Sequence, residues 1–184
     1  MVTIFKKALL SLGLATALTQ PAPATEQYVK ELAYRLWEAG KPYDLSLTLL
    51  AIASVESRFG KVKVNLKDPS CGVTMIHITY FLKRNNLPIN SFTKNRACQD
   101  LMDNDDLAIA EAVAILQYWK SKLCSRWGCS ADQWLQVWAR YNGKGERAEA
   151  YAKKVKAEVQ RLKSSALVKS LSKCDSKCTV GDTK

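Results

Sequence analysis

The chain has a single histidine, His77, and no Cys-x-x-Cys pair. Both gaps argue against a structural or catalytic zinc site, which draws its ligands from such groups. No Gly-x-Ser-x-Gly elbow is present, so an α/β-hydrolase serine nucleophile is excluded. Phosphate-loop and dinucleotide fingerprints are missing too, and no metal or cofactor is implied. The sequence contains no zinc-finger spacing, no basic-region heptads and no internal repeat. No apolar run reaches the roughly 20 residues that span a bilayer. Acidic residues are outnumbered: 17 Asp and Glu stand against 28 Lys and Arg, for a net charge of +11.

The first 24 residues read as an export signal. Lys6 and Lys7 form a positive start, and Ala8 to Leu18 is an apolar run broken only by Ser11, Gly13 and Thr16. Ala22-Pro23-Ala24 then offers a small-x-small cleavage site. The rival expectation, an uncleaved anchor, fits a run this short poorly. Residues 1–24 carry two lysines and no acid, so the mature chain keeps a charge of +9. That excess points to a polyanionic partner. For an exported chain the anionic cell envelope is the expected one, and nucleic acid is not. The protein is expected to be secreted or periplasmic, and monomeric.

Six cysteines follow the signal: Cys71, Cys98, Cys124, Cys129, Cys174 and Cys178. An even count in an exported chain favours disulfides, although fifteen pairings are open. Cys124 with Cys129, and Cys174 with Cys178, could close local loops; Cys71 with Cys98 would then pin the middle of the chain.

The mature chain reads as mainly α, with one domain over 25–162. The spacing of Tyr28, Val29, Leu32, Ala33, Leu36 and Trp37 predicts a first helix, capped by Thr25 and ended by Gly40 and Pro42. A second helix runs from Asp44 or Ser46 to about Phe59, with Gly60 as its stop. Lys61 to Lys67 alternates polar and apolar, so a small β or irregular insert is expected around 61–74. A helix from about Met75 to Lys83 follows, and residues 84–103 read as a long polar connection. Asn104 caps the next helix, which reaches Leu123, and Ser130 with Gln133 forms a capping box for another. A last helix covers Glu146 to Leu162. Residues 163–184, rich in Lys and Ser, read as a mobile tail.

Glu56 carries the most chemical information. Leu49, Ile52, Ala53 and Glu56 share one helix face, so a carboxyl ends an apolar stripe. Burial disfavours its charge, and the negative end of the helix dipole adds to the effect. Both raise its pKa, as a general acid near neutral pH requires. A glutamate satisfied by a buried arginine or by backbone is the structural alternative; Arg58 is near in sequence but on another helix face.

Ala51-Ile52-Ala53-Ser54-Val55-Glu56-Ser57-Arg58-Phe59-Gly60 resembles the catalytic helix of the soluble lytic transglycosylase family, in which the Glu is acid and base. Ser70-Cys71-Gly72-Val73-Thr74-Met75-Ile76-His77 is similar to that family's Gly-Leu-Met-Gln-Ile motif with its preceding serine. Tyr141-Asn142-Gly143 resembles its Tyr-Asn-Ala-Gly motif, and Tyr151 falls where a later tyrosine often stands. The resemblance spans about residues 45–158. It departs at Met75, where the family has a glutamine, and at Gly143, where it has an alanine.

The resemblance implies a lysozyme-like domain that cuts the β-1,4 bond between N-acetylmuramic acid and N-acetylglucosamine in peptidoglycan, leaving a 1,6-anhydro end. Glu56 is its implied catalytic residue. Ser57, Ser70, Gly72, Met75, Tyr141, Asn142 and Tyr151 are its implied substrate-binding residues. Ser57 and Tyr141 are expected to hydrogen-bond Glu56 or the sugar, and Gly72 to let a sugar ring approach the backbone. Trp127 and Tyr80 are expected to stack on sugars, and Trp119, Trp134 and Trp138 to be core. His77 reads as a loop or helix-start residue. A goose-type hydrolytic muramidase is the alternative, needing Asp68, Asp100 or Asp103 near Glu56; a non-catalytic wall-binding protein is another. Bacterial housekeeping, secretion-machine and phage-encoded settings all fit the sequence.

Overall fold

A computed structural model of the chain describes residues 25–174. The signal segment and the expected Cys174–Cys178 bridge therefore lie outside the described residues. Among those residues are eight α-helices and one small sheet. The helices are α1 (Glu26–Gly40), α2 (Ser46–Ser57), α3 (Ile78–Arg84), α4 (Ser91–Asp103), α5 (Asp105–Leu123), α6 (Ala131–Asn142), α7 (Glu146–Lys163) and α8 (Ala166–Cys174). None of them is long and apolar enough to cross a membrane.

Local chemistry sets most of the helix ends. The Thr25 side chain accepts from the Tyr28 amide at the start of α1. Asn104 does the same for Leu107 at the start of α5, whose first turn also holds Asp105 and Asp106. Ser130 and Gln133 form a reciprocal capping box on α6. Helix α2 stops at Arg58, which adopts a left-handed conformation (φ 53°).

Helix α2 is apolar on every side. Thr48 to Ala53 are all buried, with Leu49, Leu50, Ala51, Ile52 and Ala53 at zero exposure. A helix of that kind must be enclosed by other elements. Helices α1 and α7 pack on it most extensively, and α5 touches it as well. Thr48, the one polar group in this run, accepts a hydrogen bond from the Trp138 indole of α6. Ser54 donates to Glu158, which links α2 to α7.

The insert is a three-stranded antiparallel sheet in the order β1 (Val64–Asn65), β2 (Ser70–Cys71), β3 (Ile76–His77). Asn65 pairs with Ser70, and Ser70 with His77. Its strands are shorter than the alternation over 61–67 suggests. The next helix begins at Ile78 rather than Met75, because Ile76 and His77 are held in β3.

Two expectations need correcting. Residues 84–103 are not a polar connection: Ser91–Asp103 forms α4, started by a capping box between Asn90 and Thr93. Its core contribution is small, Ala97 and Leu101, so its apolar period is faint. The basic segment after residue 162 is also structured at its start. Helix α7 reaches Lys163, and α8 buries Val168 and Leu171 in the common core.

A buried acid fastens three distant segments. Asp105, at the start of α5, accepts from Arg35 of α1 at 2.9 Å, Lys63 of the insert at 2.7 Å and the Tyr28 hydroxyl at 2.8 Å. Lys63 also donates to the Met102 carbonyl. Such charge-assisted bonds are stronger than neutral ones and satisfy a group that is costly to bury alone.

Two disulfides add covalent ties. Cys71–Cys98 joins β2 to α4, and Cys124–Cys129 closes the turn between α5 and α6. These two bridges fit an extracellular or periplasmic protein. The first closes 27 residues of chain and the second only 5. Replacing Cys71 and Cys98 by serine should lower stability by about 3–4 kcal/mol, and replacing Cys124 and Cys129 by about 2 kcal/mol, on loop entropy. Urea unfolding of the two double variants checks the order.

Candidate active site

The cleft of about 1080 Å³ that contains Glu56 lies between the insert, α3, α5 and the end of α6. Its volume is at the upper end of ordinary ligand sites, about 300–1,000 Å³. Ser70, Met75, Tyr80, Tyr118, Trp119 and Asn142 are among its lining residues.

Glu56 stands in the last turn of α2, where the enclosed helix meets the cleft. Its carboxyl is pushed up to about 7. Loss of hydration is the main cause. The Tyr151 hydroxyl beside it favours the ionised form, the charge of Asp68 opposes ionisation, and Lys154 favours it. Tyr151 lies with its hydroxyl against Glu56 but completes no hydrogen bond. That leaves a buried donor with capacity to spare at the acid. The rings of Tyr151 and Tyr141 stack, 6.5 Å apart and nearly parallel. Burial and the adjoining Glu56 charge hold both phenols far above their ordinary range.

The residues expected at the site divide into three groups. Ser70, Met75, Tyr141 and Asn142 line the cleft with Glu56, while Tyr151 reaches Glu56 from α7. Tyr141 donates to the Thr74 carbonyl at 2.8 Å rather than to Glu56. It thereby fixes the turn that carries Met75, whose backbone is left-handed (φ 49°).

Ser57 and Gly72 are enclosed by the protein's own atoms and are not among the cleft's lining residues. Ser57 has zero exposure, and its hydroxyl is taken up by the Val73 carbonyl at 2.6 Å, the Ala53 carbonyl and the Gly60 amide. It ties the end of α2 to the following turn. Gly72 is buried with φ 87°, and a Cβ there would meet the Leu101 carbonyl at 2.8 Å and Ala108 at 2.9 Å. Its missing side chain makes room for α4 and α5, not for a sugar ring.

Asp68 is a second carboxylate in the cleft, on the turn between β1 and β2. Its Oδ1 is 3.4 Å from Nε2 of His77, the residue that precedes α3. Of the three aspartates that the muramidase alternative needs near Glu56, it is the one that lines the cleft; the turn that leads into β2, whose Ser70 pairs with His77, brings it in. Asp100 and Asp103 do not reach the cleft: they bond Arg96 and Gln99 on α4. Among the aromatics, Tyr80 and Trp119 line the cleft, so Trp119 is not simply core. Trp127 is exposed outside the cleft lining, with Arg126 over its ring. Trp134 and Trp138 pack with the core, as their helical spacing suggests.

Among the described residues no group of His, Cys, Asp and Glu is placed to hold a metal ion. The chain matches no family model, no curated protein and no solved structure.

What the arrangement offers is one carboxyl able to give and take a proton near neutral pH, with a second carboxylate along the same cleft. Two measurements follow. A carbon-detected NMR titration should place Glu56 near pH 7, and Asp68→Asn should move it lower, because removing a negative neighbour favours ionisation. Glu56→Gln should also stabilise the fold at pH 8. The raised folded pKa means that ionising Glu56 costs about 1–3 kcal/mol more in the folded than in the unfolded chain. That cost is fully present above pH 7 and fades as pH falls toward the ordinary value of 4.5. Thermal melts of both proteins at pH 4 and pH 8 test the sign.

Proposed function

We propose that this protein is a peptidoglycan lytic transglycosylase with a lysozyme-like fold, acting outside the cytoplasm as a monomer without a cofactor. The observation that carries the reading is Glu56: a carboxyl held near pKa 7 in a cleft of about 1080 Å³, on a helix that resembles the transglycosylase catalytic helix. The family's order of motifs supports it, since Ser70, Met75, Tyr141 and Asn142 line that cleft and Tyr151 adjoins the acid. Two disulfides suit an exported chain.

The chemistry balances with one carboxyl group. Protonated Glu56 donates to the glycosidic oxygen. The bond from muramic C1 breaks, and its electron pair stays on the leaving oxygen as a new 4-hydroxyl. Positive charge develops at C1. The muramic 6-hydroxyl attacks C1 and gives its proton to the Glu56 carboxylate. The product is a 1,6-anhydro ring, and Glu56 is protonated again. A pKa near the working pH suits a group that must do both jobs. Holding the 6-hydroxyl near C1 replaces an external nucleophile, an advantage of about 7–11 kcal/mol in well-oriented cases. Tyr151 is placed to stabilise the carboxylate between the two transfers.

One observation favours a second reading. Asp68 lines the cleft and repels the Glu56 charge. Retaining and inverting glycosidases use a carboxylate pair of this kind. With Asp68 as base, water would attack C1 and the protein would be a goose-type muramidase.

Product masses separate the two. Digests of purified peptidoglycan should contain anhydro-ended fragments, one water lighter than hydrolytic ones. Predominantly reducing ends would overturn the transglycosylase reading in favour of the muramidase. Glu56→Gln should lower the cleavage rate by at least about 10²–10⁴. Near-normal cleavage by that variant would remove Glu56 from the mechanism. Wall binding without released fragments from the unaltered protein would leave a non-catalytic binder.

A further inference from the structure

The cleft holds more positive charge than its acid requires. Lys83 and Arg84 end α3, Arg140 lies in the last turn of α6, and Lys144 follows it; all four line the cleft. Arg84 is paired with Glu111 of α5. Lys83, Arg140 and Lys144 have no carboxylate partner among the described residues. Arg140 instead lies over the Trp119 ring, 5.5 Å from its centre. The lining carboxylates are Glu56, in the last turn of α2 beside Tyr151, and Asp68, which faces His77. Three cations without acid partners line one cleft with Tyr118 and Trp119, Arg140 lying on the Trp119 ring, and make a wall complementary to an anionic, partly apolar ligand.

N-acetylated sugars are neutral and do not need that wall. A muramyl residue, however, carries a lactyl ether, and the peptide joined to it bears free carboxylates. A concave wall of one charge concentrates its field where such a substituent enters. We propose that Lys83, Arg140 and Lys144 bind carboxylates of the peptide borne by the muramyl residue, so that peptide-substituted glycan is the preferred substrate over bare glycan. This rests on the glycan-cleaving reading above.

The test compares three forms of one purified wall: native, stripped of its peptides by an amidase with the lactyl carboxyls so freed then capped as amides, and native with its peptide carboxylates chemically amidated. Wild-type protein should show a kcat/KM about tenfold higher on the native form than on the stripped form, the size expected of one or two partly exposed charge pairs. The amidated form, which keeps the peptide but not its charge, should behave like the stripped one. The triple variant K83Q/R140Q/K144Q should bring the native-to-stripped ratio close to one, mainly through KM. The three side chains are exposed, and an unchanged thermal melt will confirm that the variant folds. The arginine-conserving variant K83R/K144R should keep the preference. Equal kcat/KM of wild type on native and stripped wall would overturn the inference. So would a preference that survives amidation or the triple substitution. Cleavage of neither native nor stripped wall would instead overturn the glycan-cleaving reading, and this inference with it.

Discussion

The enclosure of α2 governs the rest of the molecule. A helix with no polar face cannot rest on a surface, so other helices must surround it. Its buried run from Thr48 to Ala53 supplies the centre of the core, and α1, α5 and α7 are arranged about it. Its last turn meets the cleft, and Glu56 stands there. The same enclosure that stabilises the fold strips water from that carboxyl. Stability and proton affinity at this position therefore come from one packing arrangement.

The rest of the scaffold holds two walls in register with that helix end. Ser57 binds the turn at Val73, Tyr141 binds the same turn at Thr74, and Thr74 in turn donates to Ala108 of α5. Three hydroxyls thus fix a turn whose neighbouring residue, Met75, faces the cleft. On the other side Asp105 gathers Tyr28, Arg35 and Lys63, so the insert cannot swing away from α1 and α5 without breaking charged bonds.

What could be read from sequence was whatever depends on near neighbours. Thr25, Asn104 and the Ser130–Gln133 pair set helix starts through contacts three residues away, and all three act as their residue types suggest. Glu56 was legible for the same reason: a polar residue on a helical apolar stripe is visible by spacing. Helix α4 was not, because it buries only Ala97 and Leu101 and is attached through Cys98 rather than through a broad apolar face. Helix α8 was hidden by its lysines, its two buried residues being Val168 and Leu171. At the site, Ser57 and Gly72 stand in meaningful positions but with different duties, because a motif marks a position and not what surrounds it. Asp68 comes into the cleft on the turn between β1 and β2, and Lys83 reaches the same cleft from α3 while Arg140 and Lys144 reach it from the end of α6. Neither kind of proximity leaves a local trace.

Helix α7 has a consequence for the order in which the protein becomes itself. Tyr151 comes from α7, and much of the cover over α2 does too. Helix α2 lies early in the chain and α7 late. Until α7 docks, the Glu56 carboxyl stays hydrated and behaves as an ordinary surface acid. Contacts between segments so far apart are slow to close. The folding chain thus carries the Glu56 carboxyl before its raised proton affinity, and gains that affinity only as the fold is completed.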